Sequence, residues 1–286
     1  MDRSAPLRSR LSDKPSHRAA TVRERRNVIP MRIDGKVVLI TGASEGIGAA
    51  CAAEFVRSGA KLSLTARSEE GLNRAAPAAL VTPGDLTSQD TRRRVVARTL
   101  ERFGAIDILI NNAGVGTYLP SWSMPMEDAR HLMELNFFAL LEMTQLVVPH
   151  MRGRKSGMIV NIGSIGGKLV LPWSTLYSAS KYAMGALTEG LRMELRRDGV
   201  RAMLVCPGYV KTGFQEHVRG GRAPDKVLGS RKYAITAEEC AAAIRRGVER
   251  DARTVMTPRA GWILVALARL LPSIVQARMA QMNETA

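Results

Sequence analysis

"KVVLITGASEGIG" (36–48) decides the fold of this chain. A short apolar run, Val37 to Ile40, reads as a strand buried on both faces. It passes without a linker into a glycine-rich turn, and the turn opens a helix at Gly46. That order suits a phosphate-bearing ligand, because N–H groups at a helix N-terminus point outward and the helix dipole favours negative charge. Glycines serve there because a Cβ would hold the backbone away from a pyrophosphate and the helix away from its strand. Gly42, Gly46 and Gly48 stand at those places, spaced T-G-x-x-x-G-x-G rather than G-x-G-x-x-G. Any tight strand-to-helix turn can use glycine. Its place after the first strand of an alternating pattern makes this one a nucleotide site.

Outward from it the alternation continues. Apolar runs stand at 61–65, 79–81, 106–110, 158–162, 201–205 and 254–257. Between them lie stretches that predict helices over 46–59, 88–104, 126–151 and 177–199, the last ended by Gly199. "TAEE" (236–239) has the form of a capping box opening another helix. The pattern predicts an α/β fold, a doubly wound parallel sheet of about seven strands flanked by helices, in a single domain over 31–258. Residues 1–30 form a basic, Arg- and Ser-rich extension, expected to be disordered and lacking the apolar core of a secretory signal. Met31 stands directly ahead of the first strand as an alternative start. Residues 259–286 form an amphipathic helical segment that the core fold does not need.

At 286 residues, 45% apolar and 24% charged, the chain is an ordinary globular one, large enough for a single buried core. Its three cysteines, Cys51, Cys206 and Cys240, form no C-x-x-C, and its four histidines have no ligand spacing. No disulfide framework or metal site is expected, and a reducing, cytoplasmic location is. The net charge of +16 raises a nucleic-acid reading. Residues 1–30 carry +5 of it, eight Lys/Arg against three Asp/Glu, and the rest is spread over the chain. "TRRRVVAR" (91–98) puts arginines on the outer face of an amphipathic helix, with Val95, Val96 and Leu100 inward. No aromatic residues interleave with them as a base-stacking platform requires. The charge therefore reads as a solvated surface suited to anionic cofactors or lipid surfaces, with no nucleic-acid partner.

"YSASK" (177–181) sets a phenol and an ammonium one helical turn apart. Such pairs often only decorate a solvated face. A carbonyl that receives hydride, however, needs a proton, and free tyrosine titrates near 10, too high for neutral pH. An ammonium about 4–6 Å away favours the phenolate, and a drop of ~2–3 units corresponds to ~3–4 kcal/mol. Thirteen residues earlier, Ser164 in "NIGSIGG" (161–167) ends the fifth strand, where ligands of open α/β sheets bind. Its hydroxyl can donate to an oxygen that gains negative charge.

Together "TGASEGIG", "NNAG" (111–114), "YSASK" and "CPGYVKT" (206–212) resemble the short-chain dehydrogenase/reductase family over about residues 31–257. The resemblance implies a Rossmann-type fold, a nicotinamide cofactor and carbonyl/alcohol oxidoreduction. It implies a catalytic set of Ser164, Tyr177 and Lys181 with Asn136 of "ELNFF" (134–138), Asn136 anchoring a proton-relay water. Lys181 would also hold the nicotinamide ribose beside Tyr177. The dinucleotide would run along Gly42, Ser44, Glu45, Gly46, Ile47 and Gly48, with Asp85 and Leu86 of "GDL" at the adenine. Asn112, Ala113 and Gly114 would line the cleft, and Pro207, Gly208, Val210 and Thr212 would shape the nicotinamide end.

Ala66 in "LTARSEE" (64–70) stands where NAD-selective relatives carry Asp, and Arg67 follows it. This predicts NADP(H), with NAD(H) as the alternative. Glu45 departs from the pattern, since many NADP-using relatives have Arg or Lys there. The small-molecule substrate is expected to be an apolar ketone or secondary alcohol, lipid-like, aromatic or steroid-like, walled by Leu169, Leu171 and Trp173, with 213–233 as a lid. The alternative is a dinucleotide-binding regulatory protein without turnover. Family members commonly form homodimers or homotetramers. The segment 259–282 reads either as a helix packed over the cleft or against a second subunit, or as an interfacial helix in peripheral contact with a membrane. Its apolar run, 260–268, is too short to span one.

Overall fold

Alternate side chains of each main strand point to opposite faces of the sheet, and both faces are covered. In β1 (Val37–Thr41), Val38 and Ile40 enter one core cluster while Leu39 enters the other. The same split recurs in β4 (Ile108–Asn111) and β5 (Gly157–Ile162), where Leu109 and Ile159 face away from Ile110 and Val160. Strands buried on both sides have no polar face to show, so they read as continuous apolar runs.

The protein is described by a computed structural model over residues 31–218, 220–221 and 234–281. β1 leads into α1 (Gly46–Arg57), followed by β2 (Lys61–Thr65), α2 (Glu69–Ala75), β3 (Leu80–Val81) and α3 (Gln89–Phe103). After β4 come α4 (Met126–Met133) and α5 (Ala139–Gly153); after β5 come α6 (Thr175–Glu194) and β6 (Val200–Pro207). The chain ends with β7 (Val210–Lys211), β8 (Ile235–Thr236), α7 (Ala237–Glu249), β9 (Thr254–Thr257), α8 (Gly261–Leu270) and α9 (Pro272–Gln281). Seven strands form one parallel sheet in the order β3-β2-β1-β4-β5-β6-β9, as the alternation predicts. One face packs on α1 and α7 through Cys51, Phe55, Cys240 and Ile244; the other packs on α3, α5 and α6 through Val95, Met143, Val147 and Leu191. The expected capping box closes the start of α7 through Thr236 and Glu239.

Three features depart from the sequence reading. The helix expected over 126–151 is continuous to Gly153 but contains a π-helical turn, Glu134–Phe138, between α4 and α5. The helix expected to reach Gly199 ends at Glu194 and is followed by a 3₁₀ turn, Arg196–Asp198. β7 and β8 pair as a separate two-stranded sheet. Among the described residues, Met126–Gly153 has the length and apolarity to cross a membrane, yet Leu140, Met143, Val147 and Met151 bury its apolar face in the domain. The extension 1–30 and most of the lid segment lie outside the described residues.

Candidate active site

The strand order reverses between β1 and β4, so the chains leaving these strands diverge and open a crevice at their carboxyl ends. The glycine turn leaves β1 there, and "NNAG" leaves β4. Thr41 and Asn112 join them. Thr41 Oγ1 accepts from the backbone N–H groups of Asn112 (2.9 Å) and Ala113 (3.1 Å). Asn112 Nδ2 donates back to the carbonyls of Thr41 (3.0 Å) and Gly42 (2.9 Å). This closeness demands small residues: Gly42 has φ +62°, and a Cβ on it would lie 2.8 Å from Ala113 Cα. A Cβ on Gly48 would lie 2.1 Å from the Gly42 carbonyl oxygen, which would push α1 off the turn. Ile47 packs against the core.

The first turn of α1 has no side-chain cap and no acidic residue. Its donors therefore suit an anion better than an internal partner. Thr212 comes within 3.2 Å of where a Cβ on Gly46 would sit, so the segment after β6 closes on the glycine turn. Ser44 lies under the first turn of α2, at Gly71, and Ser68 caps that helix by accepting from Gly71 N at 3.0 Å. Arg67, just before the cap, is exposed, and its charge reaches Asp85. Burial pushes the Asp85 carboxyl up, but two hydrogen bonds from Thr87 and the charges of Arg67 and His131 hold it below the ordinary value. Leu86 is buried, and its carbonyl accepts from Arg92 Nη1 at 2.5 Å. Pro207 ends β6; Gly208 N donates to the Thr257 carbonyl at 2.8 Å, and Val210 packs against the core. The donors, the small residues and the exposed guanidinium fit a dinucleotide laid across this crevice.

Ser164, Tyr177, Lys181 and Asn136 meet at the carboxyl end of β5. The Ser164 hydroxyl and the Tyr177 ring flank one glycine, lying 3.3 Å and 3.5 Å from where a Cβ on Gly166 would sit, and Ser164 Oγ accepts from Gly166 N at 3.0 Å. The Lys181 amine lies 5.7 Å from the centre of the Tyr177 ring and donates to the Ile162 carbonyl at 2.9 Å. A Cβ on Gly114 would fall 3.0 Å from Asn136 Oδ1 and 3.6 Å from Lys181 Nζ, so these two groups flank the same glycine. Asn136 is fully buried in the π turn. Its Oδ1 accepts from Val115 N (2.8 Å), and its Nδ2 donates to Val115 O (2.9 Å) and Ser180 Oγ (3.1 Å).

The electrostatics differ from the sequence expectation. Spacing alone suggests an ammonium that lowers the phenol. In the structure burial raises the Tyr177 phenol above 10, with the Ser164 hydroxyl opposing it only in part. Burial also lowers the Lys181 amine to about 8. Both groups sit in one desolvated pocket, and the cost of charging each there sets the direction of its shift.

Sequence reasoning missed several supports. Asn111 Nδ2 donates to Asn161 Oδ1 (2.9 Å), and Asn161 Nδ2 donates to Thr188 Oγ1 (2.9 Å), a buried ladder joining β4, β5 and α6 beneath the site. The doubled asparagine of "NNAG" was the available signal. Phe214 was also missed: its ring lies 6.1 Å from that of Tyr177, and a Cβ on Gly116 would lie 3.0 Å from both Phe214 and Val218. Leu169 is a correction. It is 4% exposed and packs in the core with Met184 and Leu204, not on the cleft wall. Leu171 does approach the site, near Ser164 and Tyr177 around Gly166. Trp173 stacks on Tyr118 at 6.1 Å, with Trp122 edge-on at 6.3 Å. Glu45 pairs with His217 at 2.9 Å.

The fold agrees with comparisons to known proteins. A family model described as "short chain dehydrogenase" matches residues 36–223. The dehydrogenase/reductase SDR family protein 7-like of Anopheles gambiae is 33% identical over 92% of this chain and 89% of its own. A short-chain dehydrogenase/reductase from Burkholderia phymatum, solved with NAD, superposes with a TM-score of 0.75 at 27% identity, over 85% of this chain and 96% of its own. A short-chain dehydrogenase from Burkholderia cenocepacia J2315, solved with NADP, gives 0.74 at 29% identity, over 87% and 99%. With the glycine turn, the doubly wound sheet and the Ser–Tyr–Lys cluster all in place, the chain belongs to the short-chain dehydrogenase/reductase family of oxidoreductases.

Proposed function

We propose that this enzyme interconverts an apolar ketone and its secondary alcohol with NADP(H). The observation that carries the proposal is the convergence of Ser164 and Tyr177 around Gly166 at the carboxyl end of β5, with the Lys181 amine 5.7 Å from the tyrosine ring. The nicotinamide, when bound, supplies or accepts the hydride. Tyr177, kept protonated by burial, gives its proton to the carbonyl oxygen, and Ser164 donates a hydrogen bond to the same oxygen. Lys181, charged below about 8, favours the phenolate left behind. Asn136 holds the backbone at Val115 and lines the route by which Tyr177 regains a proton. In the oxidative direction the same groups act in reverse.

Leu171 and Phe214 put apolar and aromatic surface beside the reacting groups, which supports an apolar substrate. The exposed Arg67, with no carboxylate at Ala66, supports NADP(H), because a guanidinium accepts a 2′-phosphate. Free Cys51, Cys206 and Cys240 support a reducing, cytoplasmic setting, and the family's habit of association supports a homodimer or homotetramer.

Screening apolar ketones and alcohols with both nicotinamide cofactors tests this directly. Wild-type protein should consume NADPH faster than NADH with at least one apolar ketone. Tyr177→Phe, which removes one hydroxyl, should lose more than tenfold of that rate (~1.4 kcal/mol or more) with little change in melting temperature. A variant that keeps over a tenth of the rate removes the acid/base role, and wild type preferring NADH removes the cofactor assignment. Cofactor binding with no turnover on any substrate would instead support the regulatory reading.

A further inference from the structure

We propose that the outer face of α8 and α9 docks on an anionic lipid surface. Seven of the fourteen large apolar side chains exposed among the described residues fall between Trp262 and Ile274. Ile263, Leu270 and Ile274 are 65%, 78% and 65% exposed. Only Val265 of the two helices is buried, in a cluster with Met256, where partly buried Ala268 also packs. One edge of the pair is thus anchored to the domain, and the opposite face is presented outward.

Charge selects the occupant. Arg259, Arg269 and Arg278 are exposed around this apolar face, and no acidic residue occurs between Asp251 and Glu284. A second copy meeting this face across a two-fold axis would set arginines against arginines with no carboxylate in the segment to pair them. A lipid surface bearing phosphate complements both parts, taking the apolar side chains at the acyl boundary and the guanidiniums at the headgroups. Trp262, with an apolar body and a polar N–H, suits that boundary. The contact is peripheral: α8 and α9 are ten residues each and bend by 113° at Leu271, so neither reaches the ~30 Å of a hydrocarbon core.

The location links this surface to the site. Gly261, at the start of α8, lies against Ile165, where a Cβ would come 3.3 Å from Ile165 Cδ1, and Ile165 directly follows Ser164. If the proposed activity on apolar ketones holds, a membrane-dissolved substrate has a short path to Ser164 and Tyr177. The docking itself does not depend on that activity.

Sedimentation of the full-length chain with phosphatidylcholine vesicles, with and without phosphatidylglycerol, tests the proposal. Wild type should pellet with the anionic vesicles and be released by high salt. Ile263→Glu with Leu270→Glu should weaken binding at least about tenfold while leaving solution mass and melting temperature unchanged, since both side chains are exposed. Arg269→Glu with Arg278→Glu should weaken it similarly and keeps the test open if the first variant misfolds. Absence of anionic-vesicle binding, or equal binding by both variants, overturns the proposal. A fall in solution mass for the first variant also overturns it, because the face would then be covered by a second copy. Vesicle binding is read without turnover, so failure of the reductase assignment leaves this result standing.

Discussion

Tyr177 and Lys181 show two principles in competition at the scale of single residues. Helical spacing brings the amine close enough to favour a phenolate, but burial raises the phenol and lowers the amine to about 8. Lys181 is 5% exposed and carries a cost whenever it is charged. Between pH 8 and 10.5 the unfolded chain binds a proton at this position that the folded chain does not. Stability therefore rises with pH across that window, and the full penalty, roughly 2–4 kcal/mol, applies below it. Lys181→Met removes the penalty and loses the hydrogen bond to Ile162, worth about 1 kcal/mol. The expected outcome is a variant without turnover that is about 1–3 kcal/mol more stable at pH 7, with the advantage gone above pH 10.5. Urea denaturation at both pH values checks it, and lower stability at pH 7 contradicts it.

The π turn between α4 and α5 shows what one element contributes. Its wider winding turns Asn136 inward, and α3 holds it from outside through Arg92. This guanidinium, 7% exposed, reaches Glu134 at 3.0 Å, Glu142 at 2.5 Å and the Leu86 carbonyl at 2.5 Å. It ties the Asp85–Leu86 segment to the turn that carries Asn136. Arg92→Met leaves two carboxylates facing a buried apolar side chain. The predicted loss is about 3 kcal/mol in urea denaturation, with cofactor affinity weakened as the Asp85–Leu86 segment loosens. Unchanged stability would show that the ion cluster only decorates the α3–α5 contact. "TRRRVVAR" read as an outer arginine face, and Arg92 is the exception that lies inside.

At the scale of the whole molecule, Asp107 ties the central strands to a flanking helix. Its Oδ2 accepts from Val37 N at the start of β1 (2.9 Å), and its Oδ1 meets Arg154 past the end of α5 (2.5 Å) and Lys36 (3.5 Å). Burial raises the carboxyl, but the Val37 hydrogen bond, Arg154 and Lys36 prevail and hold it below its ordinary value. A depressed carboxylate adds stability above the unfolded pKa near 3.9, and that stability is lost as pH falls through the folded value. Asp107→Asn should cost about 2–3 kcal/mol at pH 7 and progressively less as pH falls below 4, where the wild type loses the same contribution. Acid titration of the two proteins by circular dichroism checks this. Curves offset equally at all pH values would assign the effect to packing instead of charge.

Strand–helix alternation, burial on both faces of the sheet, the glycine turn and the Tyr177–Lys181 spacing are local properties, carried by residues within a turn or two of one another. They were legible because period and backbone conformation are set by neighbours along the chain. The resemblance located Asn136 and Thr212, but only folding shows what they touch. Asn112 reaches Thr41 across 71 positions, Asn111 reaches Asn161 across 50, and Thr212 closes on Gly46. Leu169 and Leu171 look alike in the sequence, yet one is buried and the other faces the site. The same holds for the apolar run after residue 260, where packing left Val265 inside and Leu270 outside. Contacts between distant residues depend on how the helices settle on the sheet, and the balance between burial and charge at Lys181 depends on everything packed around it. The tertiary structure alone decided both.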